Sequence, residues 1–482
     1  MYLIALISCC CSGGNGFDGT VMSGVNAMSQ YQNYFGMDGA GSSTRSVGLH
    51  VCFHIPPLFS FSIVFVYLPD RIGRRRSMWF GSAVLIIGAC IAANAKDRSQ
   101  FLGGRFLSGF GSSCASASAN SYLAELSPPQ HRGAYIGFFN SFYYVGQTTA
   151  TGMMVATNKW DSELSWRLPL YAQVIPAALN FLFIFFCPES PRWLYSVGKE
   201  HRAREILARL HSSTGDVKSP LVELEMQEIR EKIAVDGADK RWWDFRPLFR
   251  SRADRRRMYL VIMIGAFGQL SGNGMITYFL PLLLKQAGIK SQNKQLTLTF
   301  VNSITSYIGG EFGSFTIDRY GRRKILLISS TLITCLLAVV TGLLSSFWDS
   351  ARSNTGIAFI YLFMVFFSFG WTPMQALYPV EVLAYEGRVK GLAIGGIVVQ
   401  AASCINTFGL PVALEKISWK VYLIFMIWDM FETIIIYLFL VETKGLTLEE
   451  INEVFDATNP RAYSLEITSR KKGLASSSEG PC

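Results

Sequence analysis

The chain has 482 residues, half of them hydrophobic and only 16% charged, where soluble proteins carry roughly 25%. That balance excludes a string of soluble domains and places the chain in the membrane class. The net charge of +10 invites a nucleic-acid partner, but the Lys and Arg gather in the loops of one side, which is the positive-inside pattern, and nucleic acid is excluded.

Taken in order, twelve apolar runs read as spanning helices, near 2–25, 46–68, 77–95, 101–124, 134–156 and 167–187, then 257–285, 297–317, 324–346, 356–383, 389–412 and 418–440. Each is about 20 residues or more, enough to cross roughly 30 Å of hydrocarbon. The first begins almost at Met1 with no basic flank, so it does not read as a cleavable signal peptide and leaves almost no cytoplasmic head. Residues 26–45 read as an outer loop, and the loop after span 5 carries Trp160 and Trp166, which suit a membrane interface. Span 4 is dense in Gly, Ser and Ala and is expected inside the bundle.

The fold expected is therefore all-α, with twelve transmembrane helices in two pseudo-symmetric six-helix bundles, 1–187 and 257–440. The loop 188–256 joins them, with amphipathic helices at Glu200–His211 and Leu221–Ala234. Residues 441–482 form a tail with one short helix at Leu446–Phe455 and disorder from about 457. Both termini fall on the cytoplasmic side. The ten cysteines lie mostly in apolar runs and suggest small packers rather than disulfides, with palmitoylation of Cys9-Cys10-Cys11 as the alternative.

Charge motifs repeat between the halves. Asp70-Arg71-Ile72-Gly73-Arg74-Arg75-Arg76 returns as Asp318-Arg319-Tyr320-Gly321-Arg322-Arg323-Lys324, 248 residues on. Glu125, with Arg132-Gly133 after it, returns as Glu381 with Arg388 after it, 256 residues on. Glu189-Ser190-Pro191-Arg192 returns as Glu442-Thr443-Lys444-Gly445, 253 residues on. Matched acids and bases at matched places mark an internal duplication.

Twelve spans, a long central loop and the doubled Asp-Arg-x-Gly-Arg-Arg loops resemble the major facilitator superfamily. Gly104-Arg105 with Gly109, Pro188 to Trp193, Gln269 to Asn273, Ser165-Trp166-Arg167 and Val441 to Gly445 resemble its sugar porter family. The Gly272-Asn273-Gly274 step and the run Gly370 to Glu381 are most similar to fungal lactose-permease-like and hexose porters. Departures are Val441 for the usual Pro, Leu270 and Ala376 where Trp is common, and Asn140 where glucose porters have Gln.

Two intramembrane charges call for a partner, Asp18 in span 1 and Arg105 in span 4, placed at similar depth. They read either as a proton-coupling pair or as a static ion pair. The resemblance favours the first, since proton-coupled porters carry Asp at this place. A sugar asks for neutral hydrogen-bonding groups beside aromatic faces. Gln269 and Asn273, one turn apart on span 7, are candidates with Asn140, Tyr278 and Trp371. The resemblance further implies a cytoplasmic gate of ion pairs that closes the inner ends: Asp70, Arg71, Arg74, Arg75, Glu125, Arg132, Glu189 and Arg192 from the first half. The second half supplies Asp318, Arg319, Arg322, Arg323, Glu381, Arg388 and Glu442.

His50 and His54 have metal-ligand spacing without a third ligand, and no phosphate-binding loop or catalytic triad emerges. No metal and no cofactor is expected, and the chain is not read as an enzyme. The expectation is a monomeric plasma-membrane transporter that imports a hexose or disaccharide by proton symport. A facilitative uniporter, a quinate or polyol carrier and a sugar sensor stay open, and the short tail disfavours the sensor.

Overall fold

Inside a bilayer no water meets the backbone, so an open-ended chain must satisfy its own N–H and C=O groups as helix. The computed structural model is predominantly helical, with no strand among the described residues. These are all residues except 37–67, 129–131, 212–215, 218, 221, 228, 231–244, 287, 290, 345–349, 385–387, 418, 445, 447 and 469–482. The second expected span, with His50 and His54, lies outside the described residues.

In the first half the helices are α1 Tyr2–Val25, α2 Ser29–Tyr34, α3 Arg74–Ala93, α4 Arg98–Leu126, α5 Arg132–Thr157, α6 Leu164–Ala172, α7 Val174–Phe183, α8 Pro191–Ser196 and α9 Glu200–His211. In the second they are α10 Arg252–Leu270, α11 Asn273–Gln286, α12 Gln292–Tyr320, α13 Arg322–Leu344, α14 Ser350–Val382, α15 Arg388–Ile417, α16 Lys420–Phe439 and α17 Leu448–Asp456.

Among the described residues, six stretches are long and apolar enough to cross a membrane: Arg74–Ala93, Leu164–Phe186, Arg252–Lys285, Arg322–Leu343, Thr355–Val382 and Lys420–Phe439. Four other helices, α1, α4, α5 and α12, are 24, 29, 26 and 29 residues long. Their Gly, Ser, Thr and Asn dilute the hydropathy. Such residues suit helix–helix contact rather than lipid.

The chain forms two compact units. The first comprises Met1–Lys240, Thr277–Ile304 and Thr407–Glu415, and the second Arg241–Ile276, Thr305–Asn406 and Lys416–Cys482. Within the first unit, helices meet backbone to backbone. A Cβ on Gly88 would stand 2.8 Å from Gly104 O, and one on Gly104 would stand 2.8 Å from Gly88 O, so α3 and α4 interlock through bare glycines. The α1–α5 seam is built alike, since a Cβ on Gly146 would collide with Gly13 O and one on Gly16 with Tyr143 O. Polar side chains bridge the seams. Ser118 donates to Ser77 at 2.8 Å, Ser82 donates to Asn180 at 3.1 Å, and Asn180 donates to Ile7 O at 3.1 Å. The start of α12 also packs here, with Ser29 N–H donating to the Gln292 side chain at 3.1 Å.

Three expectations need correction in this unit. Residues 26–45 are not wholly loop, because Ser29–Tyr34 is helical. Trp166 does not sit at an interface. It is fully buried, its ring 5.5 Å from Tyr31, 5.6 Å from Phe35 and 6.4 Å from Phe101. Ring packing of this kind fills the space between α2, the start of α4 and α6. Span 6 is not one regular helix, since Gln173 separates α6 from α7. The amphipathic α9 forms at its expected bounds. Its Ala203, Leu207 and Ala208 pack on Val222, Met226 and Ile229, in the helical residues 222–227 and 229–230 of the second expected helix.

In the second unit α14 crosses α12 and α13 at small residues. A Cβ on Gly309 would lie 2.6 Å from Val365 O, and Gly370 abuts Ser329. The expected regular span 7 is broken, because Gly272 at φ 81° ends α10 and α11 restarts at Asn273. The tail is ordered further than expected. Residues 460–468 are helical and Ser464 is fully buried, its hydroxyl accepting from Glu442 N–H at 3.4 Å.

The glycine seam makes a specific forecast. Gly146→Leu drives a side chain into the backbone of α1 and should lower stability by about 1–3 kcal/mol. Gly137, on the same helix, faces open space, so Gly137→Leu should leave the detergent melting temperature nearly unchanged.

Candidate functional site

In the first unit Asp18 and Arg105 are 5% and 1% exposed. The Arg105 guanidinium stands 2.8 Å from the Asp18 carboxylate and also donates to Asp18 O at 3.1 Å. Gln173, at the break between α6 and α7, completes the knot: it donates to the same carboxylate oxygen at 2.5 Å and accepts from Arg105 at 3.2 Å. The sequence gives no mark of Gln173, since the break between α6 and α7 appears only in the structure. The knot ties α1, α4 and the α6–α7 junction at one point.

The repeated charge motifs form two joints of the same design, one in each unit. Gly73 at φ 97° and Gly321 at φ 99° precede α3 and α13. Only glycine takes this conformation freely. A Cβ there would also lie 2.8 Å from a Glu189 oxygen and 2.7 Å from a Glu442 oxygen. Those carboxylates cap the helix starts. Glu189 accepts from Arg75 N–H at 3.1 Å, and Glu442 accepts from Arg322 and Arg323 N–H at 2.9 and 3.2 Å. Negative charge at a helix N-terminus is favourable because the unpaired N–H groups and the helix dipole both point at it.

The first arginine of each helix then pairs with the matched acid. Arg74 lies 3.1 Å from Glu125 and 2.8 Å from Asp70, and Arg322 lies 2.7 Å from Glu381. Ser190 donates to Glu125, and Thr443 donates to Glu381 at 2.6 Å. The second arginine binds carbonyls, Arg75 to Cys187 O at 2.9 Å and Arg323 to Tyr437 O at 2.8 Å. Sequence reasoning missed a third matched element. Tyr122 donates to Pro188 O at 2.5 Å and Tyr378 donates to Val441 O at 3.0 Å. At Val441, which replaces the usual proline, the N–H donates back to Tyr378 at 3.2 Å, a bond that Pro188 cannot make.

Arg71 and Arg319 are exposed and Arg192 is half-buried. The side chains of Arg132, Asp318 and Arg388 lie outside the described residues.

The substrate candidates divide between the units, with Asn140 and Tyr278 in the first and Gln269, Asn273 and Trp371 in the second. Gln269 donates to Gln375 at 3.3 Å, and its carbonyl accepts from Asn406. The structure thus gathers neutral amides of α10, α14 and α15, two of which the sequence reading did not select. Gln269 and Asn273 do not share a regular helical face, because the chain turns at Gly272 between them. Trp371 is fully buried, stacked 6.4 Å from Phe367. Tyr278 is half-buried and Asn140 exposed.

One further feature escaped the sequence reading. Asp429 and Glu432, a turn apart in the last span, are each 1% exposed. Among the described residues three of their four carboxylate oxygens have no hydrogen-bond partner, while Trp428 donates to the fourth. Two acids within an otherwise apolar run were the signal.

Residues 4–455 match the family described as sugar (and other) transporter. The chain belongs to that family. A high-affinity glucose transporter of Kluyveromyces lactis is 28% identical over 480 residues, 94% of this chain and 85% of the relative. A probable polyol transporter of Arabidopsis thaliana is 27% identical over 396 residues, 80% of this chain and 73% of the relative. Among solved structures, the proton:xylose symporter XylE bound to 6-bromo-6-deoxy-D-glucose superposes with a TM-score of 0.76 at 23% identity, covering 94% of this chain and 98% of that one. The family member described here thus has the all-helical major facilitator fold of that transporter. It is a multi-pass membrane transporter of the sugar porter kind and not an enzyme.

The paired joints carry a test. Gly321→Ala forces a left-handed backbone position on an L-residue and crowds Glu442, and should cost about 1–3 kcal/mol. Gly342, in the last turn of α13 with nothing near its missing Cβ, is the control. Gly342→Ala should leave stability nearly unchanged or slightly raised. Thermal melts of the two variants in detergent would check both.

Proposed function

We propose that this transporter imports a hexose or disaccharide with a proton, by alternating access across the plasma membrane, with both termini cytoplasmic and the chain acting as a monomer. The observation that carries the reading is the buried Asp18–Arg105–Gln173 knot. Protonating Asp18 removes the negative partner of Arg105 and leaves a cation among apolar helices, a costly arrangement. The cost falls when α1 and α4 separate enough to admit water, so proton uptake and helix displacement are tied together. A switch between two states needs only such a differential free energy. The name of XylE, a proton:xylose symporter, agrees with this chemistry.

Two six-helix halves, 1–187 and 257–440, rock about a midplane site, with the loop 188–256 joining them. Gln269, Asn273 and Asn140 offer amides to sugar hydroxyls, and Tyr278 and Trp371 offer aromatic faces to the ring. The joints at Glu189 and Glu442, with Arg74, Glu125, Arg322 and Glu381, brace the inner ends as a gate that forms in one state and loosens in the other. These pairs are largely buried, so breaking one leaves a poorly solvated charge, and a network that changes between states shifts a near-balanced equilibrium. A polyol remains the second reading, on the strength of the polyol-transporter relative.

Uptake of labelled sugars and polyols in a transport-null cell tests the proposal. Glucose or another hexose should accumulate, and a protonophore should abolish the accumulation. Asp18→Asn should lose gradient-driven accumulation while retaining exchange, and accumulation that survives it would overturn the proton role. Gln269→Ala should weaken apparent sugar affinity by up to about tenfold, the worth of one hydrogen bond.

A further inference from the structure

We propose that the arginine-lined pocket at the loop end of the second unit seats the phosphate of an anionic phospholipid. The cavity, about 680 Å³, is bounded by α10, the end of α16 and the chain after α17. Four arginines line it, Arg252, Arg255, Arg256 and Arg461, and no acidic residue does. Among the described residues none of the four has an acidic partner. Arg256 is spent on the chain after α17, donating to Ala457 O at 2.7 Å and Thr458 O at 2.9 Å. Arg461 lies 4.5 Å over the Tyr437 ring. Arg252 and Arg255 are exposed. Asp254, between them in sequence, is already engaged in capping Ser251.

The opposite wall is apolar and open. Tyr259, Leu438 and Phe439 are 44, 47 and 49% exposed. They lie at the matching ends of two candidate spans, Arg252–Lys285 and Lys420–Phe439. A free phosphate has no use for that wall, whereas a phospholipid has both parts, an anionic head for the arginines and an acyl chain for Leu438 and Phe439. Basic residues beside a span attract anionic lipid at each position. Arginine's planar fork suits phosphate oxygens.

The test uses the full-length protein, purified and delipidated in detergent, with native mass spectrometry as the readout. Phosphatidylserine should be retained about tenfold more than phosphatidylcholine. In the R252Q/R255Q variant, whose changes are at exposed positions, the two lipids should be retained equally. High salt should abolish the preference of the unaltered protein, which keeps the test independent of the variant. Excess inorganic phosphate should fail to displace the lipid. Equal retention of both lipids by the unaltered protein, or an unchanged preference in R252Q/R255Q, would overturn the proposal. Complete displacement by inorganic phosphate would overturn the lipid assignment in favour of a soluble anion.

Discussion

A charge inside a helical bundle has to be met by an opposite charge or by several N–H groups, because little else there can solvate it. Most of the distinctive geometry of this chain follows from that demand. Asp18 is met by Arg105 and Gln173. Glu189 and Glu442 are met by the opening N–H groups of α3 and α13. The glycines before those helices leave room for the carboxylates, so each joint consists of one bare backbone position and one acid. The arginine that follows reaches the neighbouring acid, Glu125 or Glu381. Asp429 and Glu432 are the exception, buried with most of their oxygens unmet among the described residues.

The second constraint is close approach. Lipid is as apolar as leucine, so burial alone does not drive spanning helices together. The seams of α1 with α5 and of α3 with α4 rest on glycines whose missing side chains let backbones touch. A Ser118–Ser77 bond bridges the α3–α4 seam, and Asn180 ties α7 to α1. Three of the four seam helices, α1, α4 and α5, are long but too polar to count among the apolar spans, and their polarity suits helix contact. The aromatic cluster around Trp166 joins α2, α4 and α6 in a different way, filling volume with tilted and edge-on rings.

Much of the candidate site was legible in the chain. Asp18 and Arg105 stand out because each is a lone charge in an apolar run, and similar depth allowed their pairing. Arg74 with Glu125 and Arg322 with Glu381 stand out because each pair recurs at a fixed offset. Neutral partners did not stand out. Gln173, Gln375 and Asn406 are amides in helices already rich in polar residues, and nothing in their spacing singles them out. Tyr122 and Tyr378 recur at the same offset as Glu125 and Glu381, yet tyrosine is too common in this chain to draw notice.

The sequence by itself determined the membrane class, the duplicated plan and the family, because hydropathy, charge asymmetry and repeated motifs are properties of the chain read in one dimension. It also determined which charges needed partners, since that need is set by residue type and span. Only the tertiary structure decided which neutral groups complete each knot, where Gly272 breaks the seventh span, that Trp166 faces inward and that residues 460–468 fold against Glu442. Those outcomes depend on which side chains from distant segments share one small volume, and volume is shared only after the helices have packed.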